Sequence, residues 1–311
     1  MGKRMRALAV LAAVALVITP SPAGARGESD KSECYDLETL NSMPAKDLPL
    51  MARGDGDSPR EPALNMSYLD LATDAVGKGK KLANVITVPV WFHVVHDNGI
   101  GNVTDGDIAT QINVMNLAFA GSYGGADTGF RFELVGTTRT NNAAWFNADA
   151  GTSEERAMKR ALHTGDAGTL NYYSTTAAAF LGWAYFPGLG NGHAYLDGVV
   201  VDWESMYKTS ERYKDRYDLG FTAVHEAGHW FGLHHTFNGA CNAKGDHVDD
   251  TPAQGIPTSG CPADGTQDTC PKEPGFDPIH NFMDYSWDTC YTQFTRGQTE
   301  RARDFWVGFR A

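Results

Sequence analysis

The chain has 311 residues, a formal net charge of −12 and an apolar content of 42%. This length accommodates one sizeable domain together with processing segments. The negative charge makes nucleic acid and anionic membrane surfaces poor partners, because both carry charge of the same sign.

The first 25 residues have the pattern of a secretory signal peptide. A basic start is followed by an apolar run from Ala7 to Ile18 and by the small residues Ala23-Gly24-Ala25. Signal peptides of this kind are removed during export. We therefore expect a secreted, extracellular protein that begins after about Ala25. The alternative is an uncleaved N-terminal anchor, although the apolar run is short for a bilayer.

Residues 26–81 carry prolines, glycines and scattered charge without sustained periodicity. This composition is typical of a pro-segment or a flexible lead-in. A short helix is expected near Tyr68–Ala75.

Residues 82–311 have the pattern of a folded α+β domain, in which apolar periodicity separates strands from helices. The predicted strands are Val85–Val95, Phe130–Val135, Thr169–Tyr173, Leu181–Phe186 and Gly198–Trp203. The predicted helices are Asp105–Ala120, Glu154–His163, Thr222–Phe231 and a last one from a capping box at Thr295 to about Phe309. This order predicts a mixed five-stranded sheet with a backing helix in an N-terminal subdomain, residues 82–235. An irregular C-terminal subdomain, residues 236–311, would follow.

The segment His225–His235 has the most specific pattern in the chain, H-E-x-x-H-x-x-G-x-x-H, which is that of metzincin zinc peptidases. On a helix, His225 and His229 project from one face. Gly232 can stop the helix, so that His235 returns as a third ligand. Three protein ligands leave the fourth zinc position to water, as in a catalytic site. Glu226 would then accept the proton of that water.

The third ligand has an alternative in His234, which adjoins His235, although the metzincin spacing selects His235. The other histidines show no ligand spacing, and we expect them to be structural.

Asn281-Phe282-Met283-Asp284-Tyr285 follows the helix by about fifty residues. Metzincins place a methionine on a tight turn beneath the zinc ligands, and Met283 is the candidate for this Met-turn. Tyr285 is placed to direct its phenol toward the zinc, where it could donate to a developing oxyanion. The alternatives are a methionine that fills the core and a packed aromatic ring.

Four cysteines, Cys241, Cys261, Cys270 and Cys290, fall within fifty residues. In an oxidising compartment they suggest two disulfides with three possible connectivities. A second zinc site is the alternative, but the spacing lacks a C-x2-C pair.

Further segments accompany these motifs and resemble the pappalysin family of metzincins, in particular its small secreted microbial, ulilysin-like members. The segments that carry the resemblance are His225–Phe237, Gly245–Pro252, Cys261-Pro262, Asp277–Tyr285, Phe294–Gln298, Val88–Val95, Gln111–Ala120 and Leu181–Pro187. The resemblance covers residues 85–311 approximately, and it implies a zinc endopeptidase with a metzincin-type fold.

The resemblance also implies roles for individual residues. Tyr285 would stabilise the reaction intermediate, and the pairing Cys241–Cys270 with Cys261–Cys290 would be expected. A calcium site would fall on Asp246, Asp249, Asp250 and Thr251, which could otherwise be a solvated loop. Some family members prefer arginine beside the cut because of an acidic residue after the Met-turn, and here Asp288 is the candidate for that selector.

We expect a monomeric enzyme that takes extended polypeptide substrates and pairs their main chain with the edge strand Leu181–Phe186. The hypothesis from another class is a secreted binding or adhesion module with an inactive zinc site. A zinc hydrolase of other substrates is a further alternative.

Cys34 is an odd cysteine within the predicted pro-segment. Because a thiolate is a strong zinc ligand, Cys34 could fill the open zinc position until the pro-segment is cut. Arg53, Arg60 and the Lys78–Lys81 cluster are the expected cleavage positions. An incidental free thiol is the alternative.

Overall fold

The computed structural model describes residues 50–53, 83–178, 180–189, 192–242 and 245–311. The predicted signal peptide, Cys34 and the helix expected near Tyr68–Ala75 lie outside the described residues. Among the described residues, no helix is both long enough and apolar enough to cross a membrane.

Six strands form one mixed sheet in the order β1-β5-β6-β4-β2-β3. The strands are β1 (Leu50–Arg53), β2 (Ile86–His96), β3 (Phe130–Asn141), β4 (Leu170–Thr175), β5 (Gly182–Tyr185) and β6 (Val199–Asp202). Strands β3, β2, β4 and β6 are parallel, whereas β5 pairs antiparallel with β6 and β1 pairs antiparallel with β5. The mixed five-stranded sheet expected from the sequence is therefore confirmed as β2 to β6. The sixth strand, β1, comes from the predicted lead-in and has no counterpart in the sequence analysis.

The helices are α1 (Asp105–Phe119), α2 (Ala143–Phe146), α3 (Ser153–Leu162), α4 (Phe221–Trp230) and α5 (Arg296–Phe309). The predicted helices correspond to α1, α3, α4 and α5, with ends displaced by a residue or two. The capping box expected at Thr295 is present, since its side chain accepts from the backbone N–H of Gln298. The single turn α2 is too short to leave a periodic signal.

The sheet is covered on both faces. On one face, α1 and α4 share a core with β2, β4 and β6, in which Phe92, Met115 and Trp230 are fully buried. On the other face, Met158 of α3 and Trp183 of β5 belong to a second buried core. All ten residues of α4 are buried, so this helix lies between the sheet and the C-terminal part of the chain. A helix that is enclosed along its whole length gives its side chains little freedom to move.

A buried ion pair on α3 forms hydrogen bonds with two side chains of strand β5. The carboxylate of Glu155 lies 3.0 Å from Lys159 Nζ, and both side chains are fully buried. The same carboxylate accepts hydrogen bonds from Trp183 Nε1 at 2.8 Å and from the Tyr185 hydroxyl at 3.0 Å. Because side chains alternate along a strand, these contacts leave Gly182 and Ala184 on the face that looks toward α4.

The chain between α4 and α5 is irregular and carries two disulfides, Cys241–Cys270 and Cys261–Cys290, with Cα–Cα distances of 5.5 and 5.4 Å. This is the interlaced pairing that the family resemblance implies. Each bond closes a sequence separation of 29 residues, which in the chain-entropy model stabilises the fold by roughly 3 to 4 kcal/mol.

Candidate active site

After helix α4 ends, the chain reverses direction at Gly232 and runs back along the side of the helix that carries His225 and His229. Gly232 has φ of +89°, a left-handed conformation that favours glycine. Its N–H donates to His229 O at 2.8 Å, and the N–H of Leu233 donates to Gly228 O at 3.0 Å. These two bonds form a Schellman motif at the end of the helix. The reversal brings His235 back beside the helix.

Three imidazoles converge at this reversal. The Nε2 atoms of His225, His229 and His235 are separated by 3.0, 3.0 and 3.2 Å, and all three side chains are buried. A tetrahedral zinc ion with Zn–N bonds of about 2.0–2.1 Å would separate two nitrogen ligands by about 3.4 Å. The spacing of the three nitrogens therefore fits a zinc ion with three protein ligands.

Hydrogen bonds to carbonyl groups orient two of these rings. Nδ1 of His225 donates to Phe282 O at 2.6 Å, and Nδ1 of His229 donates to Leu233 O at 2.7 Å. With Nδ1 protonated in the neutral ring, each Nε2 presents a lone pair toward the other. Burial also lowers the pKa of His229 to about 3, which favours the neutral ring. Lone pairs that face one another at this distance repel unless a cation lies between them, so the donor set fits a metal.

His234 is buried beside the triad but faces elsewhere. Its Nδ1 lies 2.8 Å from Nδ2 of Asn238, and its ring packs 5.3 Å from that of Phe186. The metal-competent group found among the described residues contains His235 and not His234. Of the histidines expected to be structural, His93 is fixed on the sheet by Asn171 at 2.9 Å and Thr138 at 2.8 Å.

Met283 lies directly beneath α4. Met283 N donates to Asn281 Oδ1 at 2.9 Å, and Asp284 N donates to Asn281 O at 3.0 Å, which closes a tight turn. A Cβ atom on Gly228 would overlap the sulfur of Met283, so only glycine leaves room for it. The glycine between the two helical histidines therefore permits the helix and the turn to touch. The Met-turn, residues 281–284, then offers the Phe282 carbonyl to His225.

Gln298, whose contact with the Met-turn was not predicted from the sequence, holds this turn in place. The amide groups of Asn281 and Gln298 exchange two hydrogen bonds, both of 2.9 Å. Gln298 is also the capping-box residue of α5, since Oε1 accepts from Thr295 N at 2.9 Å. The capping box was visible in the sequence, but its second partner was not, because the pairing spans separate segments.

Tyr285 lies against the triad. Its ring centroid is 4.8 Å from that of His235 and 5.7 Å from that of His225, and the side chain is buried. The turn thus brings Tyr285 beside His225 of α4 and beside His235 of the loop that follows α4.

Glu226 is fully buried on α4, next to His225 in the chain. It faces strand β5 at Gly182, where a Cβ atom would lie 2.9 Å from Cγ and 3.1 Å from Oε1 of Glu226. The carboxylate of Glu226 therefore lies against β5 at Gly182, on the helix that also carries His225 and His229.

The four residues predicted for calcium line one cleft of the C-terminal part: Asp246, Asp249, Asp250 and Thr251. Asp246 is buried, and Oδ1 accepts from Thr251 Oγ1 at 2.7 Å and from Val248 N at 3.1 Å. Its Oδ2 is buried and makes no hydrogen bond with the described residues. Burial raises the pKa of Asp246 to about 7. Asp250 has a different partner, since its Oδ2 accepts from Gly297 N at 2.8 Å at the start of α5.

Asp288 is buried at the N-terminal end of α4. Its Oδ2 accepts from Leu219 N at 3.0 Å and Phe221 N at 3.4 Å, the amides that precede and open α4. A carboxylate at a helix N-terminus is stabilising. Asp288 therefore has a structural role at α4, and the predicted selection of basic residues stays a prediction.

The contact between helix and turn yields a test. Gly228→Ala should push Met283 away, displace the Phe282 carbonyl from His225 and destabilise the protein by about 1–3 kcal/mol, as overpacking does. Urea unfolding and zinc content of the purified variant would measure both effects. Gly106→Ala, at an exposed position of α1 where a Cβ atom meets nothing closer than 3.5 Å, is the control for backbone propensity, which changes stability by at most about 1 kcal/mol. A Gly228→Ala protein with unchanged stability and zinc content would contradict the described packing.

Comparison with known proteins agrees with this geometry. Residues 169–306 match the model of peptidase family M43, described as pregnancy-associated plasma protein-A. An extracellular metalloprotease of Colletotrichum graminicola is 43% identical over 247 residues, which cover 77% of this chain and 83% of that protein.

Solved structures give the same result. Mature mirolysin of Tannerella forsythia in complex with a cleaved peptide is 29% identical, with a TM-score of 0.61 over 71% of this chain and 92% of that one. A promirolysin variant of Tannerella forsythia is 27% identical, with a TM-score of 0.64 over 77% of this chain and 84% of that one. With its metzincin motif, its Met-turn and these relatives, the chain belongs to the pappalysin family of metallopeptidases, family M43.

Proposed function

We propose that this protein is a secreted zinc endopeptidase that hydrolyses peptide bonds of extracellular polypeptides, with Glu226 as general base. The observation that carries the proposal is the convergence of three Nε2 atoms within 3.2 Å of one another, two of them on the helix that also carries Glu226 and the third on the loop that follows it. An inactive binding module would have no need of a buried carboxylate beside such a triad.

His225, His229 and His235 would hold the zinc ion. The ion would supply Lewis acidity, which lowers the pKa of a water to about 7 and polarises a substrate carbonyl. Glu226 would accept the proton of the attacking water and return it to the leaving amine. The enclosed position of Glu226 supports this role, because burial keeps bulk water from competing for the proton.

Tyr285 would donate its phenolic hydrogen to the oxyanion that forms on the carbonyl. Its support is position, since its ring lies 4.8 Å from that of His235. Donors that are fixed before the reaction stabilise developing charge at little reorganisation cost.

The substrate would bind extended along β5, through main-chain hydrogen bonds. β5 is the outermost of the five strands of the predicted sheet, and its Gly182 faces Glu226. Strand addition tolerates many side chains, so pockets must supply selectivity. The prediction that Asp288 selects arginine or lysine beside the cut is retained as a proposal.

Secretion is supported by two observations. The relative from Colletotrichum graminicola is named an extracellular metalloprotease. The two disulfides also suit an oxidising compartment. Both agree with the predicted signal peptide.

A calcium ion would bind in the cleft lined by Asp246 and Thr251. The support is Asp246 Oδ2, a buried oxygen without a hydrogen-bond partner among the described residues, because such an atom is costly unless a ligand satisfies it. A hard cation with oxygen ligands is the chemistry that fits. Asp249 lines the same cleft and is exposed.

Glu226→Gln tests the catalytic proposal. The amide keeps the size of the side chain but cannot accept the proton, so cleavage of a denatured protein should fall by about 10² to 10⁴-fold. Zinc content and unfolding midpoint should stay at the wild-type values. Glu133→Gln makes the same replacement of a carboxylate by an amide at an exposed position of β3 and is the matched control. A zinc-loaded Glu226→Gln protein with wild-type cleavage would reject the mechanism.

Thermal unfolding tests the calcium proposal. In a zinc-containing buffer, calcium at about a hundred times its dissociation constant should stabilise the wild type by about 2.7 kcal/mol. Asp246→Asn should lose most of this gain, whereas the exposed control Asp215→Asn should keep it. The proposal fails if calcium leaves the wild-type unfolding temperature unchanged, or if Asp246→Asn responds as the wild type does.

A further inference from the structure

Helix α3 carries a fully buried ion pair that the proposed mechanism does not use. Oε1 of Glu155 and Nζ of Lys159 are 3.0 Å apart, and neither side chain is exposed to solvent. The ammonium also donates to Leu196 O at 2.8 Å, on the chain between β5 and β6. Taking two charges out of water is costly, and apolar residues of similar volume often stabilise a fold as well or better. Stability alone therefore does not account for this pair.

The pair is bonded to both side chains that β5 directs toward α3. Nε1 of Trp183 donates to Glu155 Oε1 at 2.8 Å, and the Tyr185 hydroxyl donates to Glu155 Oε2 at 3.0 Å. The Lys159 ammonium lies 4.7 Å from the centre of the Tyr185 ring. Hydrogen bonds to an ionised carboxylate are among the stronger ones in proteins. Two of them, two residues apart on one strand, restrict rotation and sliding of β5 relative to α3.

The opposite face of β5 has few side-chain atoms with which to hold the strand. Gly182 and Ala184 lie on the face toward α4, and Ala184 is fully buried there. A Cβ atom on Gly182 would lie 2.9 Å from Cγ of Glu226, so the backbone of β5 itself touches the proposed general base. Glycine weakens a strand because it has no side chain to pack. The position of β5 relative to Glu226 is thus set from the side of α3.

The outer edge of β5 accepts an extended chain. In the described structure β1 pairs along it in antiparallel register, with Ala52 opposite Trp183 and Leu50 opposite Tyr185. The edge that we expected to be exposed therefore has a segment of the chain on it. An extended substrate bound by strand addition would use the same main-chain groups. A shift of β5 would consequently move such a substrate relative to Glu226.

We propose that Glu155 and Lys159 are positioning residues for proteolysis. They hold β5, through Trp183 and Tyr185, where a substrate on its outer edge lies in line with Glu226. The pair acts through the strand and takes no part in the chemical step. This inference rests on the proposed proteolytic function.

The first test removes the hydrogen bonds from the side of β5. Trp183→Phe with Tyr185→Phe keeps two aromatic rings in the core and leaves the ion pair intact, but it removes both donors to Glu155. KM for an extended peptide should rise about tenfold, the effect of losing roughly one hydrogen bond. The value of kcat per active site should stay unchanged, because substrate and transition state lose the same main-chain pairing.

The number of active sites, titrated with a tight-binding hydroxamate, separates positioning from a general loss of folded enzyme. A purely structural role would lower the number of active sites and leave KM unchanged, and that result would overturn the proposal. Tyr195→Phe is the matched control, since it removes a hydroxyl that accepts from Arg160 of the same helix. This control should keep the wild-type KM.

Amide hydrogen exchange provides a readout that does not depend on activity. In the double phenylalanine variant, exchange in β5 should accelerate about tenfold more than exchange in β2. Local openings expose only the element that has lost its contacts, whereas global unfolding exposes all strands together. Equal acceleration in both strands, or none in β5, would contradict a specific hold on β5.

A second pair of changes tests the same bonds from the side of α3. Glu155→Gln alone would leave the Lys159 ammonium buried without its counter-charge, which destabilises a fold strongly. Glu155→Met with Lys159→Met removes both charges and fills the space, so the fold should persist. This variant should raise KM about tenfold, as the double phenylalanine variant does. Combining all the changes should add nothing further, because both variants remove the same hydrogen bonds. Additive effects would reject action through these bonds.

The wild-type assay separates this inference from the proposed function. A zinc-loaded wild type that cuts no peptide would reject the proteolytic function. A wild type that cuts the peptide, with an unchanged KM in the double phenylalanine variant, would reject only the positioning role.

Discussion

The site depends on one hydrogen bond between two distant segments, from Nδ1 of His225 to the carbonyl of Phe282 at 2.6 Å. The bond fixes the ring of the first ligand and leaves Nε2 to the metal, as outer partners of metal-bound histidines do. It also requires the Met-turn to lie directly beneath α4. Gly228 makes that approach possible, because any side chain there would meet Met283.

Several other features keep this contact in place. Asn281 and Gln298 join the turn to the first turn of α5. From the same helix, Nε of Arg301 donates to Gly232 O at 2.8 Å, at the reversal that returns His235. The disulfide Cys261–Cys290 ties the chain that leaves the turn. The C-terminal part therefore acts as a support for the ligands that α4 and its reversal supply.

The sequence predicted those parts that depend on local pattern. The five strands, the long helices and the histidine spacing each leave a signal within a short stretch, because period and glycine placement are local properties. β1 left none, since Leu50–Arg53 is four residues long and its pairing partner, β5, is remote in sequence. The hydrogen bonds that Asp288 accepts from Leu219 N and Phe221 N likewise join segments that are far apart in the sequence, so they left no local signal. The family resemblance suggested only that Asp288 selects basic residues of the substrate, and the structure adds a contact at the N-terminus of α4.

The measurement that tests the account most directly is the zinc content of two neighbouring histidine variants after gel filtration. We predict that His234→Ala retains one zinc per chain, because Nδ1 of His234 faces Asn238. His235→Ala should lose most of its zinc, since one of three converging nitrogens is removed. A His235→Ala protein that retains zinc while His234→Ala loses it would show that the reversal after α4 presents a different ligand.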